Sequence, residues 1–264
     1  TNFTSGVSSV THAGAVEVVS GTLALGATAG TYTGAVTVAS GSTLDFTGGT
    51  QTLSATSSIS GTGTGTVDFS AGTVNLAGTY NLTGSTTVTG GTANFTGTLT
   101  SLGSTLTVTS GTANLTSGEA ISLSTLTVSG GTLSGTDAIT VSGATSWSGG
   151  TMTGVGTTTA QGGLTISGAS TKFLGGGRVL EHVGTGGWTG TGPIQTGSTG
   201  VGTLRLVSGI FTVGDAGAQS TAASGTGTLA LEIQAGATLQ KSLGGTTNFT
   251  SGVSSVTHAG AVEV

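Results

Sequence analysis

The strongest constraint on the fold is a pattern of about 20 residues that recurs along the chain. It consists of an apolar-x-apolar pair, a turn that contains Gly and a second apolar pair, as in VDFSAGTVNL (67–76), TTVTGGTANF (86–95) and LTVTSGTANL (106–115). Its turn glycines follow at intervals of 19, 20, 20 and 19 residues: Gly72, Gly91, Gly111, Gly131 and Gly150. Self-similarity at this period is typical of a solenoid, in which each repeat packs against its neighbours.

The stretch LTVTSGTANLTSGEAISLS (106–124) predicts the form of one turn. Because side chains alternate between the two sides of a strand, its apolar residues face one side in three short strands: Leu106 and Val108, Ala113 and Leu115, and Ile121 and Leu123. The intervening TSG and TSGE are turn sequences. We therefore predict an all-β parallel β-helix with triangular coils. No helices of note are expected, since the 3.6-residue period is absent.

Stacked coils would place equivalent residues above one another at the strand spacing of about 4.8 Å. Two apolar columns are then expected in the core: Val88, Val108, Val128 and Trp147, and Leu76, Phe95, Leu115 and Leu133. The polar residues between them would point outward and form a surface of Thr and Ser.

A polar column accompanies the apolar ones. Asn75, Asn94 and Asn114 occupy equivalent positions, and Asp45 and Asp68 take the same place in the motif. Stacked amides can hydrogen-bond along the axis, and we favour this interpretation. The alternative is glycosylation, because five asparagines begin an N-x-Thr sequence: Asn2, Asn81, Asn94, Asn114 and Asn248.

The sequence also repeats at a second level, because TNFTSGVSSVTHAGAVEV occurs at 1–18 and again, unchanged, at 247–264. The inner coils, by contrast, agree only in pattern. We predict that residues 1–246 are one solenoid module of about 12 coils, and that 247–264 is the first coil of the next identical module. Such a module is expected to be uncapped, with further identical modules as its end-to-end partners.

Composition narrows the possible functions. Charged residues are 5% of the chain, against about 25% in typical soluble proteins. With a net charge of −5 there is no basic patch, so nucleic acid is not an expected partner. Apolar runs fall far short of the roughly 20 residues that span a bilayer, so membrane insertion is not expected. The 53 glycines are compatible with a disordered linker, but a linker has no reason to keep the alternation of apolar and polar residues that runs along this chain.

No cofactor or metal site is expected. The chain has no Cys, which excludes sites built on thiolates. His12 and His258 are one position in two copies, and calcium-binding GGxGxD repeats are absent. A chain that is free of Cys, poor in Lys and rich in Thr is typical of an extracellular, cell-surface protein.

One segment carries a family resemblance. LALGATAGTYTGAVTVASGSTLDF (23–46) resembles the bacterial autotransporter-associated β-strand repeat, with its TYTG turn between two apolar-x-apolar strands. The coil length is similar to that of filamentous haemagglutinin-type adhesins. The resemblance implies a right-handed β-helix on a bacterial surface that serves as a stalk, an adhesin or a biofilm matrix fibre.

The acidic residues are too scattered to predict an enzyme. Glycoside hydrolysis needs two carboxyl groups within about 5 to 10 Å. Asp45 and Asp68 could meet this condition if their coils are neighbours. We favour the interpretation that both are solvated carboxylates that face outward in a column. Polysaccharide lyases need clustered basic residues, and this chain has four Lys and Arg in all.

The densest polar stretch is TKFLGGGRVLEHVGTGGWTGTGP (171–193), which breaks the coil pattern. One interpretation is a protruding loop that grips a neighbouring fibre or a glycan, since Trp and Arg are common interface anchors. Its candidate interaction residues are Lys172, Arg178, Glu181, His182 and Trp188. The favoured interpretation is a wider coil in which Arg178 and Glu181 pair at the surface, worth under about 1 kcal/mol.

Three classes of function remain. The leading one is a structural repeat module of a long extracellular bacterial fibre or adhesin stalk. The second, a glycan-binding or polysaccharide-degrading β-helix, predicts a groove with grouped acids and aromatic residues. The third, an ice-binding solenoid, requires Thr pairs in register on one face, but here the matching positions vary among Thr, Ser, Asp and Asn.

Overall fold

The computed structural model describes residues 2–3, 7–197, 199–214, 219–222, 225–242, 244, 246–249 and 252–264, with the backbone alone for 2–3. Within these ranges the chain forms strands and no helix. The strands are parallel and stack as a β-solenoid of about 12 turns, spaced about 21 residues apart. The β-helix predicted from the pattern is confirmed, with turns slightly longer than expected.

The solenoid divides into two compact units. Unit 1 comprises Thr1–Leu123 and Gly131–Leu133, and unit 2 comprises Ser124–Gly130 and Ser134–Val264. In each unit a turn contributes one strand segment to each of three faces, and parallel pairing between successive turns joins the segments of a face. The longest strands bend round a corner and belong to two faces.

In unit 1 each face is a stack of short parallel strands. The first face holds β1 (Asn2–Phe3), β4 (Thr22–Leu25), the first halves of β7 (Thr43–Leu53) and β9 (Thr66–Leu76), β11 (Ser85–Val88) and β14 (Thr105–Val108). The second holds β2 (Ser9–His12), β5 (Ala29–Tyr32), the second halves of β7 and β9, β12 (Thr92–Phe95) and β15 (Thr112–Leu115). The third holds β3 (Val16–Val18), β6 (Ala35–Val38), β8 (Ser58–Gly61), β10 (Thr79–Leu82) and β13 (Leu99–Leu102), and β16 (Ile121–Leu123) follows.

Unit 2 is built in the same way, and β18 (Thr132–Gly135) has residues in both units. Its first face holds β17 (Thr125–Val128), β20 (Thr145–Trp147), β23 (Leu164–Ile166), the ends of β25 (Val179–Trp188) and β27 (Val201–Val213), β30 (Ala237–Lys241) and β33 (Ala261–Glu263). The second holds β21 (Gly150–Met152), β24 (Lys172–Leu174), β26 (Ile194–Thr196), β28 (Gln219–Ala222) and β31 (Thr247–Asn248). The third holds β19 (Ile139–Val141), β22 (Thr157–Ala160), the starts of β25 and β27, β29 (Thr228–Ile233) and β32 (Val253–His258).

Alternation of side chains decides which residues form the core. In β14, Leu106 and Val108 are fully buried, while Thr105 and Thr107 are half-buried on the outer side. The predicted apolar columns lie inside, each residue exposed by 3% or less: Val88, Val108, Val128, Trp147, Leu76, Phe95, Leu115 and Leu133. Register pairs stack Val88 on Val108, Leu76 on Phe95, Phe95 on Leu115, and Val128 on Trp147.

Gly111 shows why a corner needs glycine. Its φ is +65°, and a Cβ at this position would lie 2.0 Å from the carbonyl oxygen of Gly91 in the preceding turn. Turn-on-turn stacking therefore leaves no room for a side chain there.

Candidate functional site

On the second face of unit 1, the three predicted asparagines form a hydrogen-bonded column. Asn94 Nδ2 donates to Asn75 Oδ1 at 2.9 Å, and Asn114 Nδ2 donates to Asn94 Oδ1 at 3.2 Å. A glycan on Asn94 or Asn114 would attach through the same nitrogen that donates in this column and would leave it a single N–H for the bond. The exposed side chain of Asn81 lies on the third face, away from this column.

Asp45 and Asp68 do not belong to the asparagine column, and placing them there was wrong. Asp45 pairs with Asp68 on the first face, whereas Asn75 pairs with Thr52 on the second. The reason is that β7 and β9 bend round a corner between these positions. Ser70 Oγ donates to Asp45 Oδ1 at 2.6 Å. Burial raises the pKa of Asp45, and the nearby Asp68 adds to that rise while the Ser70 hydrogen bond opposes it.

The two carboxylates are held by hydroxyl groups of neighbouring turns. Asp68 Oδ1 accepts hydrogen bonds from Thr87 Oγ1 at 2.8 Å and from Thr89 Oγ1 at 3.0 Å. Within the residues that the structure describes, no group of three or more His, Asp or Glu could hold a metal ion. This acidic pair is thus integrated into the outer surface of the sheet.

Lys172, the first of the five candidate interaction residues, is fully buried at the start of β24. Its Nζ donates to Ser170 O at 2.9 Å and, at 3.4 Å each, to Gly168 O and Gly192 O. Burial lowers the pKa of Lys172. Its ammonium group therefore links the corner before β24 to the next turn by hydrogen bonds, and it is not accessible to a partner.

Arg178 is also fully buried, and the predicted surface pair with Glu181 was wrong. Its Nε donates to Thr153 O at 3.1 Å, in the preceding turn. Burial lowers the pKa of Arg178 to about 10. The negative charge of Asp137, which is also buried, partly opposes this shift. Gly156, in the preceding turn, leaves room for this side chain, because a Cβ there would lie 2.5 Å from Arg178 Nη1.

Glu181 pairs with Arg205, one turn further on. Arg205 Nη1 lies 2.7 Å from Glu181 Oε1, and Arg205 Nε lies 2.5 Å from Glu232 Oε2. The three residues are in register on the third face of unit 2, and Thr159 Oγ1 donates to Glu181 Oε2 at 2.9 Å. Hydrogen bonds to Glu232 and Glu181 raise the pKa of Arg205. We call Glu181, Arg205 and Glu232 the charged ladder.

His182 and Trp188 point into the core. His182 is fully buried, with Nε2 3.1 Å from Gly184 O and its ring edge-on to Phe211 at a centroid distance of 5.2 Å. Burial lowers the pKa of His182, and backbone hydrogen bonds oppose that shift. Trp188 is fully buried beside Ile166. The segment is a coil of the solenoid, and four of its five predicted interaction residues are inaccessible, so the protruding-loop interpretation was wrong.

The described residues of the repeated 18-residue sequence, 2–3 and 7–18 in the first copy and 247–249 and 252–264 in the second, belong to a turn in each unit. The first copy, residues 1–18, pairs with the turn that follows it, placing Val10 opposite Gly30, His12 opposite Tyr32 and Val16 opposite Val36. These partners are buried, so Val10, His12 and Val16 face inward. A cavity of about 330 Å³ adjoins this turn, lined by Val10, His12, Leu23 and Tyr32 among others.

The second copy, residues 247–264, pairs with the turn that precedes it. Val256 lies opposite Leu231, His258 opposite Ile233 and Val262 opposite Leu239. The residues equivalent to Val10, His12 and Val16 therefore face inward again. Val256 and Val262 are nevertheless 52% and 50% exposed. A cavity of about 370 Å³ adjoins this turn, lined by Leu239, Phe249, Val262 and Val264 among others.

Comparisons with protein-family models, with curated proteins and with solved structures gave no match. Across the described ranges, no helix has the length and apolar character of a membrane span.

Proposed function

We propose that this chain is a structural repeat module of a long extracellular bacterial surface fibre or adhesin stalk, in which identical modules follow one another end to end. The observation that carries the proposal is the repeated turn. Its first copy pairs with a following turn and its second copy pairs with a preceding turn. In a continuous fibre, one such turn would make both sets of contacts at the junction of two modules.

The backbone groups used by the two copies are compatible with this arrangement. In the first copy, the carbonyl oxygen of His12 accepts a hydrogen bond from Thr33 N at 2.8 Å. In the second copy, Ala259 N, which directly follows the equivalent His258, donates to Ile233 O at 2.7 Å. One copy uses a carbonyl group and the other an amide group, so a single turn can satisfy both neighbours.

The inward side chains are compatible as well. Val10 and Val256 are the same position of the repeat, as are Val16 and Val262, and all four face inward. A one-residue slip in register would move every side chain to the other side of the sheet. No such slip separates the two copies, so a junction turn keeps its apolar residues in the core on both sides.

The remaining features favour a mechanical over a catalytic role. The acidic pair Asp45 and Asp68 is hydrogen-bonded to hydroxyl groups, and Glu181 and Glu232 are paired with Arg205. Backbone hydrogen bonds between parallel strands run along the solenoid axis, which stiffens a fibre. The resemblance of residues 23–46 to autotransporter-associated repeats, and the haemagglutinin-like coil length, support a bacterial cell-surface location.

Electron microscopy of a two-module chain tests the proposal. Residues 1–246 followed by 1–264 should form one uninterrupted particle that is longer than the 264-residue chain by about 60 Å, from about 12 turns at about 4.8 Å each. The control carries Val256→Pro in the junction turn, where Pro removes a ladder hydrogen bond. Two separate bodies in the unmodified two-module chain, as in the control, would contradict the proposal.

A further inference from the structure

We propose that a polar hollow on the third face of unit 1 binds a neutral, linear polysaccharide such as a β-1,4-linked glucan. The proposal goes beyond the proposed function, because it gives the module a ligand and does not depend on how modules join. The hollow has a volume of about 380 Å³, within the range of about 300–1,000 Å³ that is usual for ligand sites. Its polar lining residues are Glu17, Thr37, Ser60, Thr62, Asn81 and Thr83.

The floor of the hollow is a column of outward side chains from four successive turns. Glu17 in β3 lies opposite Thr37 in β6, which lies opposite Ser60 in β8. Asn81 in β10 follows, opposite Ser60. The hollow therefore runs along the solenoid axis for about 14 Å, or three spacings of about 4.8 Å. The strands β6, β8 and β10 are each paired on both edges, so this part of the hollow lies within the stack of turns.

Unequal corners between the third and first faces shape one side of the hollow. In two successive turns the corner has four residues, 39–42 and 62–65, whereas in the next turn it has two, 83–84. Each longer corner is closed by a backbone hydrogen bond between its first and fourth residues, of 3.0 and 3.2 Å. Ser40 Oγ lies 3.2 Å from Thr64 Oγ1, which joins the two longer corners. This side of the hollow is therefore fixed before a ligand binds, which lowers the cost of binding.

The polar groups in the hollow differ from those of the asparagine column, which are satisfied within the chain. On the second face, Asn94 donates to Asn75 at 2.9 Å. Among the residues that the structure describes, the side chains of Ser60, Thr62 and Asn81 have no hydrogen-bond partner. An amide both donates and accepts, and so does a hydroxyl group. These three side chains are therefore available to a ligand that carries many hydroxyl groups.

The charge and shape of the hollow select a neutral glucan. Its lining contains no basic residue and one carboxylate, that of Glu17, which disfavours phosphates and acidic polysaccharides. It contains no aromatic residue, so recognition depends on hydrogen bonds. An extended β-1,4-linked glucan presents hydroxyl groups along its edges at a repeat close to the spacing of the turns. Successive sugar residues can therefore meet Thr37, Ser60 and Asn81.

Calorimetric titration of the full chain with cellohexaose tests the proposal. We expect one-to-one binding, and weaker binding of hexagalacturonate, because Glu17 repels its carboxylates. Ser60→Leu fills the centre of the hollow and Asn81→Leu removes its amide group, and each should weaken binding at least about tenfold. The matched control is Ser146→Leu, at a half-buried serine in the centre of β20 in unit 2. It should bind cellohexaose as the unmodified chain does.

Amide chemical shifts of the unmodified chain provide a second measurement, which does not depend on the folding of a variant. Addition of cellohexaose should shift mainly the amide signals of Thr37, Ser60 and Asn81. Absence of cellohexaose binding at about 10 mM would overturn the proposal, as would shifts confined to other faces. Hexagalacturonate that binds as tightly as cellohexaose, or a Ser146→Leu chain that binds as weakly as Ser60→Leu, would also overturn it. A continuous two-module particle that binds no cellohexaose would leave the proposed fibre intact.

Discussion

Inside the turns of unit 1 aromatic rings stack on one another, whereas inside the turns of unit 2 between residues 172 and 188 charged side chains are buried. In unit 1, Phe46 and Phe69 are nearly parallel at a centroid distance of 5.4 Å, and Phe95 meets Phe69 edge-on at 5.8 Å. The buried hydroxyl groups of Tyr80 and Thr86 lie 2.8 Å apart. These two buried hydroxyl groups are therefore hydrogen-bonded to each other. Burial raises the pKa of Tyr80.

In unit 2 the interior holds polar atoms without partners. Arg178 Nη1 and Nη2 and Trp188 Nε1 are buried and form no hydrogen bond with the residues that the structure describes. Each such group loses its hydration at a cost of about 1–3 kcal/mol. The same solenoid backbone accepts both kinds of interior, because pairing between turns uses backbone groups whatever the side chains are. Substitutions in the two interiors should therefore act through different causes.

The largest effect is expected from Phe69→Ala in the aromatic stack of unit 1. Phe69 is fully buried and contacts rings in both neighbouring turns. Loss of a buried Phe side chain costs about 3–5 kcal/mol of the free energy of unfolding. Urea titration should show this loss, and amide exchange should accelerate mainly in unit 1. The control Val155→Ala, at a side chain that is 66% exposed, should change stability by no more than about 0.5 kcal/mol.

Arg178→Met tests the charged interior of unit 2. It keeps a long apolar side chain but leaves the buried Asp137 without its opposing charge. Removal of one partner of a buried pair is expected to lower the free energy of unfolding by about 3 kcal/mol. The double variant Arg178→Met, Asp137→Asn should recover part of the loss in the same urea titration. Higher stability of the single variant would show instead that the unpartnered guanidinium nitrogens dominate.

The sequence predicted the interior of the regular turns well. Alternation alone decides which side of a strand is buried, so the columns that contain Val108 and Leu115 could be predicted from one coil. Alternation does not say where the chain turns a corner. Asp45 and Asn75 were therefore assigned to one column, although β7 and β9 bend between the first and second faces.

The charged residues were harder to predict, because a charge usually indicates the surface. Burial of Arg178 depends on the space that Gly156 leaves and on the carbonyl group of Thr153, both in the preceding turn. The charged ladder, by contrast, has a signal that was missed. LEH (180–182), LRL (204–206) and LEI (231–233) share an outward central position, and alignment of these triplets would have placed Glu181, Arg205 and Glu232 in one column.

His182→Leu should change how stability depends on pH. Burial lowers the pKa of His182 below the ordinary value of 6.5, so the folded protein binds this proton less readily than the unfolded chain. Its contribution to stability is present above pH 6.5 and is lost as the pH falls through the folded-state pKa. The free energy of unfolding should therefore fall less steeply on acidification in the variant. Parallel curves for the two proteins from about pH 8 to about pH 5 would contradict this.

The smallest effect is expected from Glu232→Gln in the charged ladder of unit 2. The side chains of Arg205, Glu181 and Glu232 are 27%, 20% and 31% exposed, so solvent screens their attraction. We expect a loss under about 1 kcal/mol at low ionic strength, and a smaller loss at about 1 M salt. Glu119→Gln, an equal change of charge at an exposed position, is the matched control and should show no such salt-dependent loss. Because Arg205 keeps its contact with Glu181 in the variant, a loss of several kcal/mol would mean that the ladder, and not the core, holds these turns in register.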